Sequence, residues 1–364
     1  MTEFPVERIH SVIVIGSLLH PPGSPPDHRP LHPERAALVE PRGALLYWDV
    51  LEPRAHPYAE IHEPGLAADW LWEVYGPEAA DAILGGADRI AAEAESPVLD
   101  AARGLAHLRW AEAWWPSSHE AAVPALSAGL LRAEIAWRTA GVEHLLDDEE
   151  AVERALAAVD LGPVAALERH PVLGAEARDL AANLAGLAED YGVVLRTAEV
   201  RARPQDWALA AGGEDEAGPA LAGGEAPVSW EAVPQGLVDA VGRARWSLVQ
   251  RAGAFTVAVD VPAAPKVRGG VLTARIGGAE IALRHDPDTG MFTGEAEVPQ
   301  GLLAHLSSQR TVHVFDPAFG TEAIEVDPDA PARRAAIVAH AYGRLAAADA
   351  SLAERAAALG IDAP

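Results

Sequence analysis

Gly270-Val271-Leu272-Thr273-Ala274-Arg275-Ile276-Gly277-Gly278-Ala279-Glu280-Ile281-Ala282-Leu283 reads as two strands of matching length joined by two glycines. Apolar residues alternate on both sides of Gly277-Gly278, and glycine supplies the positive φ angles that a tight hairpin needs. Similar short runs surround it: Arg245-Trp246-Ser247-Leu248-Val249, Ala254-Phe255-Thr256-Val257-Ala258-Val259, residues 294–298, Thr311-Val312-His313-Val314-Phe315 and residues 321–326. About seven strands in about 85 residues predict an antiparallel sandwich or barrel, taken as a sandwich-like β domain over 229–328. Asp286-Pro287-Asp288-Thr289-Gly290 is a second hairpin turn. Its proline, and the lack of a glutamate at the right downstream spacing, separate it from a calcium loop.

Upstream the period changes. Residues 211–228 are small, acidic and rich in glycine, with too little apolar surface to fold, and are expected to form an exposed linker. From about Pro64 to Arg203, segments rich in Ala, Leu, Glu and Arg are punctuated by Gly and Pro, the pattern of a helical bundle. Within it, Leu130, Leu131, Glu134, Ile135, Trp137 and Arg138 show an apolar face beside a charged one. Asp147 and Glu150 fit an N-cap followed by an acidic turn, and Ser117 with Glu120 fits a capping box for a helix through Ala121. Before the bundle, Val12 to Ile15 and Gly43 to Leu51 read as strands that pair with each other, separated by a proline-rich loop. After the β domain, residues 331–359 predict one helix of roughly 29 residues, about 43 Å long. Val338, Ala341, Leu345, Ala348, Leu352 and Leu359 share its apolar face. The expected layout is therefore an α+β multidomain chain: a small β element plus helical bundle (1–210), the linker (211–228), the β domain (229–328) and a C-terminal helix (329–364).

Composition narrows the chemistry. The 364 residues carry 54 acidic against 28 basic side chains, a formal charge of −26. Such a surface repels phosphate backbones and anionic lipid, so neither nucleic acid nor a membrane is an expected partner. There is no cysteine and a single lysine, Lys266. With the abundance of alanine, this resembles a high-GC bacterial coding bias. Thiol nucleophiles, thiolate metal sites and disulfides are excluded. The first apolar run, Val12 to Leu19, follows Glu3 and Glu7 and is too short for a signal peptide, so a cytoplasmic location is expected.

Motifs for catalysis fail one by one. Val12-Ile13-Val14-Ile15-Gly16 resembles the opening strand of a dinucleotide site, but Ser17-Leu18-Leu19 follows where further glycines are required. No Gly-Lys-Ser/Thr, Gly-x-Ser-x-Gly or Ser-x-x-Lys occurs. His56, His62 and Glu63, with Glu60 nearby, are the candidate metal ligands, and His20, His28 and His32 form a second histidine group. No cofactor is expected. The chain holds ten tryptophans against five Phe and five Tyr. Trp110, Trp114, Trp115 and Trp137 are candidates for a ligand pocket or an interface anchor, with Trp110 and Trp114 one helical turn apart. These readings favour a non-catalytic adaptor or scaffold that binds another protein of its pathway through the β domain, the Trp-rich body or the final helix. A homo-oligomer through that helix belongs to the same expectation. A metal-dependent hydrolase with ligands drawn from distant segments, or a small-molecule carrier, is the alternative.

Overall fold

The computed structural model describes residues 2–16, 32–52, 55–93, 96–196, 220–251, 254–267, 269–298, 311–319 and 327–361. The chain is a mixed α+β protein of two compact units. One comprises Met1–Trp114, Leu126–Val200 and Gly343–Pro364; the other comprises Trp115–Ala125 and Arg201–Tyr342. Among the described residues, no helix is long and apolar enough to cross a membrane.

The first unit opens with strands β1 (Thr2–Ile9), β2 (Val12–Ile15), β3 (Ala36–Val39), β4 (Ala44–Asp49), β5 (Tyr58–Ile61) and β6 (Arg89–Ala92). They form one antiparallel sheet in the order β3-β4-β5-β2-β1-β6. The expected direct pairing of β2 with β4 does not form. Strand β5 lies between them, with Ile61 opposite Ile13 on one side and Ala44 on the other. Closing the short β4–β5 connection costs less chain entropy than closing the long proline-rich loop first. Strand β6 lies in the stretch expected to be helical. The chain turns at Gly86, whose φ is 81°, and pairs with β1 instead.

Helices α1 (Pro64–Ala67), α2 (Leu71–Tyr75), α3 (Ala79–Leu84), α4 (Pro97–Trp114), α5 (Ala128–Gly141), α6 (Ala151–Ala157), α7 (Gly162–Leu167) and α8 (Gly174–Asp190) complete the body. Helix α4 packs across β3 and β4, and its buried Leu99, Ala102, Leu105 and Ala106 face the core. Helix α5 packs against α4, α6, α7 and α8. Its N-cap is Ser127, which accepts the N–H of Leu130. Gly129 permits the approach of α7, since a Cβ there would lie 2.5 Å from Pro163 Cγ. At α6 the expected Asp147 cap does not form: Glu150 is the N-cap and makes no side-chain cap bond, while Asp148 accepts the N–H of Glu150 at 3.0 Å in the turn before the helix. Val193-Val194-Leu195 is neither helix nor strand.

The second unit holds strands β7 (Ala222–Pro227), β8 (Arg243–Arg251), β9 (Ala254–Pro262), β10 (Val271–Ile276), β11 (Ala279–Asp286), β12 (Met291–Val298) and β13 (His313–Phe315). They hydrogen-bond as one antiparallel sheet, β13-β10-β11-β12-β9-β8-β7, which is nearer the barrel than the sandwich of the two expected arrangements. Ala226 of β7, Val259 of β9, Leu272 of β10 and Val314 of β13 share one buried cluster. The first and last strands thus reach the same core, and the sheet curls around it. The Gly277-Gly278 turn has φ of 52° and 84°, and Ile276 pairs with Ala279. At the second turn Asp286 accepts the N–H of Asp288 and the hydroxyl of Thr289. The expected run at 321–326 lies outside the described residues.

Three expectations are corrected here. Residues 222–227, assigned to the linker, are strand β7. Its glycines let Trp246 lie against the backbone, Ala226 is buried, and Glu225 pairs with Arg243 and Arg245. Ser117 and Glu120 do not form a capping box, because no helix begins at Ala121. Ser118 and Val123 instead bridge across a tight loop bracketed by Pro116 and Pro124. Ser118 Oγ accepts the N–H of Ala121 and donates to Asp239 Oδ1 at 2.7 Å. Asp239, buried, also accepts the N–H groups of His119 and Val241. Finally, the single C-terminal helix is two: α9 (Ala330–Arg344) and α10 (Leu352–Ala358). Leu345 and Ala348 fall in the connection, so the apolar seam is discontinuous. Ser351 starts the second helix through a full capping box with Glu354.

Candidate functional site

The four tryptophans singled out from sequence differ in setting. Trp110 is buried on α4 and its indole donates to Glu34 O at 2.8 Å; Trp114 is half-buried. Trp115 belongs to the second unit, where it donates to Pro124 O, while Trp137 on α5 is 39% exposed. The large rings fill the places that a Phe-poor chain gives them. The candidate metal ligands are likewise apart in character. His56 is buried, its ring stacked against Tyr75 and tilted on Phe4, whereas His62 and Glu63 are exposed on a turn whose N–H groups donate to Gly43 O. His32 is exposed, and His20 and His28 lie outside the described residues. Among the described residues, no group of three His, Asp or Glu side chains is arranged to hold a metal ion.

Two clusters of charge that sequence reading missed stand out in the first unit. The first fastens α10. Glu354 is fully buried and accepts hydrogen bonds from Arg344 Nε at 3.0 Å, Arg344 Nη2 at 2.9 Å and the Ser351 N–H at 2.7 Å. His107 Nε2 of α4 lies 2.9 Å from it. Burial raises the affinity of this carboxyl for a proton, but the bonds and charges of His107 and Arg344 outweigh it and hold the group down to about 2. Glu134 of α5 accepts the first two amides of α10, Leu352 N at 2.7 Å and Ala353 N at 3.0 Å. A carboxylate from another helix thus serves as cap to α10. Burial pushes Glu134 up to about 7, the two amide bonds act downward, and the charges of Glu354 and Glu176 act upward. Arg355 of α10 pairs with Glu176 of α8. Each carboxylate is bonded by donors from its own unit, and Glu354 is enclosed by them, so this cluster is a clasp.

The second cluster is open. A cleft of about 280 Å³ is lined by Arg109 and Glu112 of α4, Arg132 and Ile135 of α5, Asp148, and Ala151, Arg154, Ala155 and Ala158 along and just after α6. The one-turn spacings of these residues on three helices aim them at a common space. Arg132 Nε binds Glu112 Oε1 at 2.9 Å, and Arg154 pairs with Asp148 and, at 3.7 Å, with Glu150. Arg109 differs from both. It is half-buried and makes no hydrogen bond or ion pair with a described residue. Burial lowers its pKa, while the charges of Glu40 and Glu112 oppose that effect.

The lining offers guanidinium forks, carboxylates and an aliphatic floor, with no side chain suited to nucleophilic or general-base work at neutral pH other than carboxylates already held by arginine. At about 280 Å³ the cleft falls just below the range of small-ligand sites, so it has room for a small group only. Sequence gave no signal for it, because the lining residues come from three helices. In comparison with known proteins, no family model, no curated protein and no solved structure matches this chain.

Proposed function

We propose that this chain is a non-catalytic interaction protein, an adaptor, whose helical body takes a residue-sized part of another protein of its pathway into the cleft between α4, α5 and α6. The observation that carries this reading is the cleft's lining, which pairs recognition groups with an aliphatic floor and leaves its carboxylates occupied. Arginine is favoured at such surfaces because its planar fork makes directional bonds while its stem covers apolar area. On this reading the sandwich-like curl of the second unit is a stable body rather than the binding face. The test is affinity capture from the native host with the wild-type chain and with Ala158→Trp, which places an indole at an exposed position on the cleft wall. A partner retained by the wild type and lost by the variant, with unchanged thermal unfolding, is the expected outcome. Equal capture by both refutes the assignment of binding to this cleft.

A further inference from the structure

We infer that the group entering this cleft bears a single carboxylate beside an apolar side chain, and that Arg109 receives that carboxylate; the inference rests on the binding role proposed for the cleft. Three guanidiniums line the space. Two are engaged, Arg132 through Nε to Glu112 and Arg154 to Asp148 and Glu150. Arg109 has no such partner among the described residues, although its half-buried position denies it the full hydration that an exposed arginine enjoys. A guanidinium stays charged at any physiological pH and satisfies itself best with two parallel N–H···O bonds to one carboxylate. The terminal nitrogens of Arg132 make no hydrogen bond to a described residue and add donors on the facing wall.

The surroundings select the kind of anion. Glu40, Glu112, Asp148 and Glu150 lie around the arginines, and the whole chain carries −26. A dianionic phosphate or a polyanion would meet this field at every approach, whereas one carboxylate neutralises one unpaired guanidinium. Ile135, Ala151 and Ala155 supply an aliphatic floor for the group attached to it. A chain-terminal carboxylate following an apolar residue has both features.

The probe is N-acetyl-leucine, with N-acetyl-leucinamide as its uncharged twin, titrated into the full-length protein by calorimetry and by protein NMR. Saturable binding of the acid is expected with Kd on the order of 1 mM, as befits so few atoms, with the amide at least about tenfold weaker. Arg109→Gln should weaken the acid by at least about tenfold. Arg109→Lys, which keeps the charge and loses the fork, should weaken it by about threefold to tenfold. Thermal unfolding of each variant establishes that it is folded, and the lysine variant gives the answer if the glutamine variant is not. Acid and amide binding equally, both blocked by Ala158→Trp, would leave the cleft as a binding site and overturn the carboxylate inference. Acid binding that survives both Arg109→Gln and Ala158→Trp, inorganic phosphate displacing the acid better than acetate does, or no response up to about 50 mM would each overturn it as well.

Discussion

Replacing Glu354 with Gln tests the clasp that holds the C-terminal helix. The carboxylate is fully buried and bound by Arg344, by the Ser351 amide and by His107. Its pKa is held down to about 2 against an ordinary 4.5. At about 1.4 kcal/mol per tenfold change in proton affinity, the ionised form contributes about 3 kcal/mol to folding. Glutamine keeps the shape but removes the charge, and it points an amide N–H₂ at one set of donors. A loss of about 3 kcal/mol is therefore expected, in the range for breaking one side of a buried ion pair. For a unit of about 200 residues, this lowers the unfolding midpoint by about 7 °C. Differential scanning calorimetry at pH 7 reads that shift directly. Because the folded-state pKa is depressed, the contribution is present above about pH 4.5 and is lost as pH falls toward 2. The gap between wild type and variant should accordingly close on acidification. A difference below about 2 °C at pH 7, or one that stays constant from pH 7 to pH 3, would refute this account of the clasp.

Glu134 should act with the opposite sign. Its carboxyl is raised to about 7, so the stability it contributes is present below about pH 4.5 and is lost as pH rises through 7. The wild-type midpoint should fall between pH 5 and pH 8, and Glu134→Gln should flatten that slope in a pH series of thermal melts. Asp239→Ala leaves the Ser118 hydroxyl and the His119 and Val241 amides without their acceptor. A loss of about 3 kcal/mol is expected by urea unfolding, together with faster proteolysis within 115–125. Gly278→Val forces a β-branched side chain to a φ of 84° and should cost about 2 kcal/mol by the same measurement. An unchanged urea midpoint would show that the hairpin tolerates another turn.

The features legible in the sequence were those whose cause is local. Gly277-Gly278 specifies its hairpin through the dihedral freedom of two adjacent residues, and β10 and β11 announce themselves by alternation. The helices of the body follow from residue type and from the Gly and Pro between them. The capping-box pattern Ser351-Leu352-Ala353-Glu354 was also readable, and it marks the start of α10 that a single long helix overlooked. Glu134, by contrast, reads as part of a charged helix face, and nothing near it signals that it accepts the first two amides of α10.

Local chain stiffness, side-chain period and net charge act over a few residues or over the whole surface, and they set many of the strands and helices and the acidity of the chain before any folding is considered. Tertiary structure alone decided the insertion of β5 between β2 and β4, the recruitment of a glycine-rich stretch as strand β7, and the meeting of Glu134 with an amide 218 residues away. It also decided that Arg109, one arginine among many in sequence, lies half-buried in an open cleft without an ion-pair partner among the described residues. Such outcomes depend on which distant surfaces exclude water together, and that competition is resolved only when the whole chain packs.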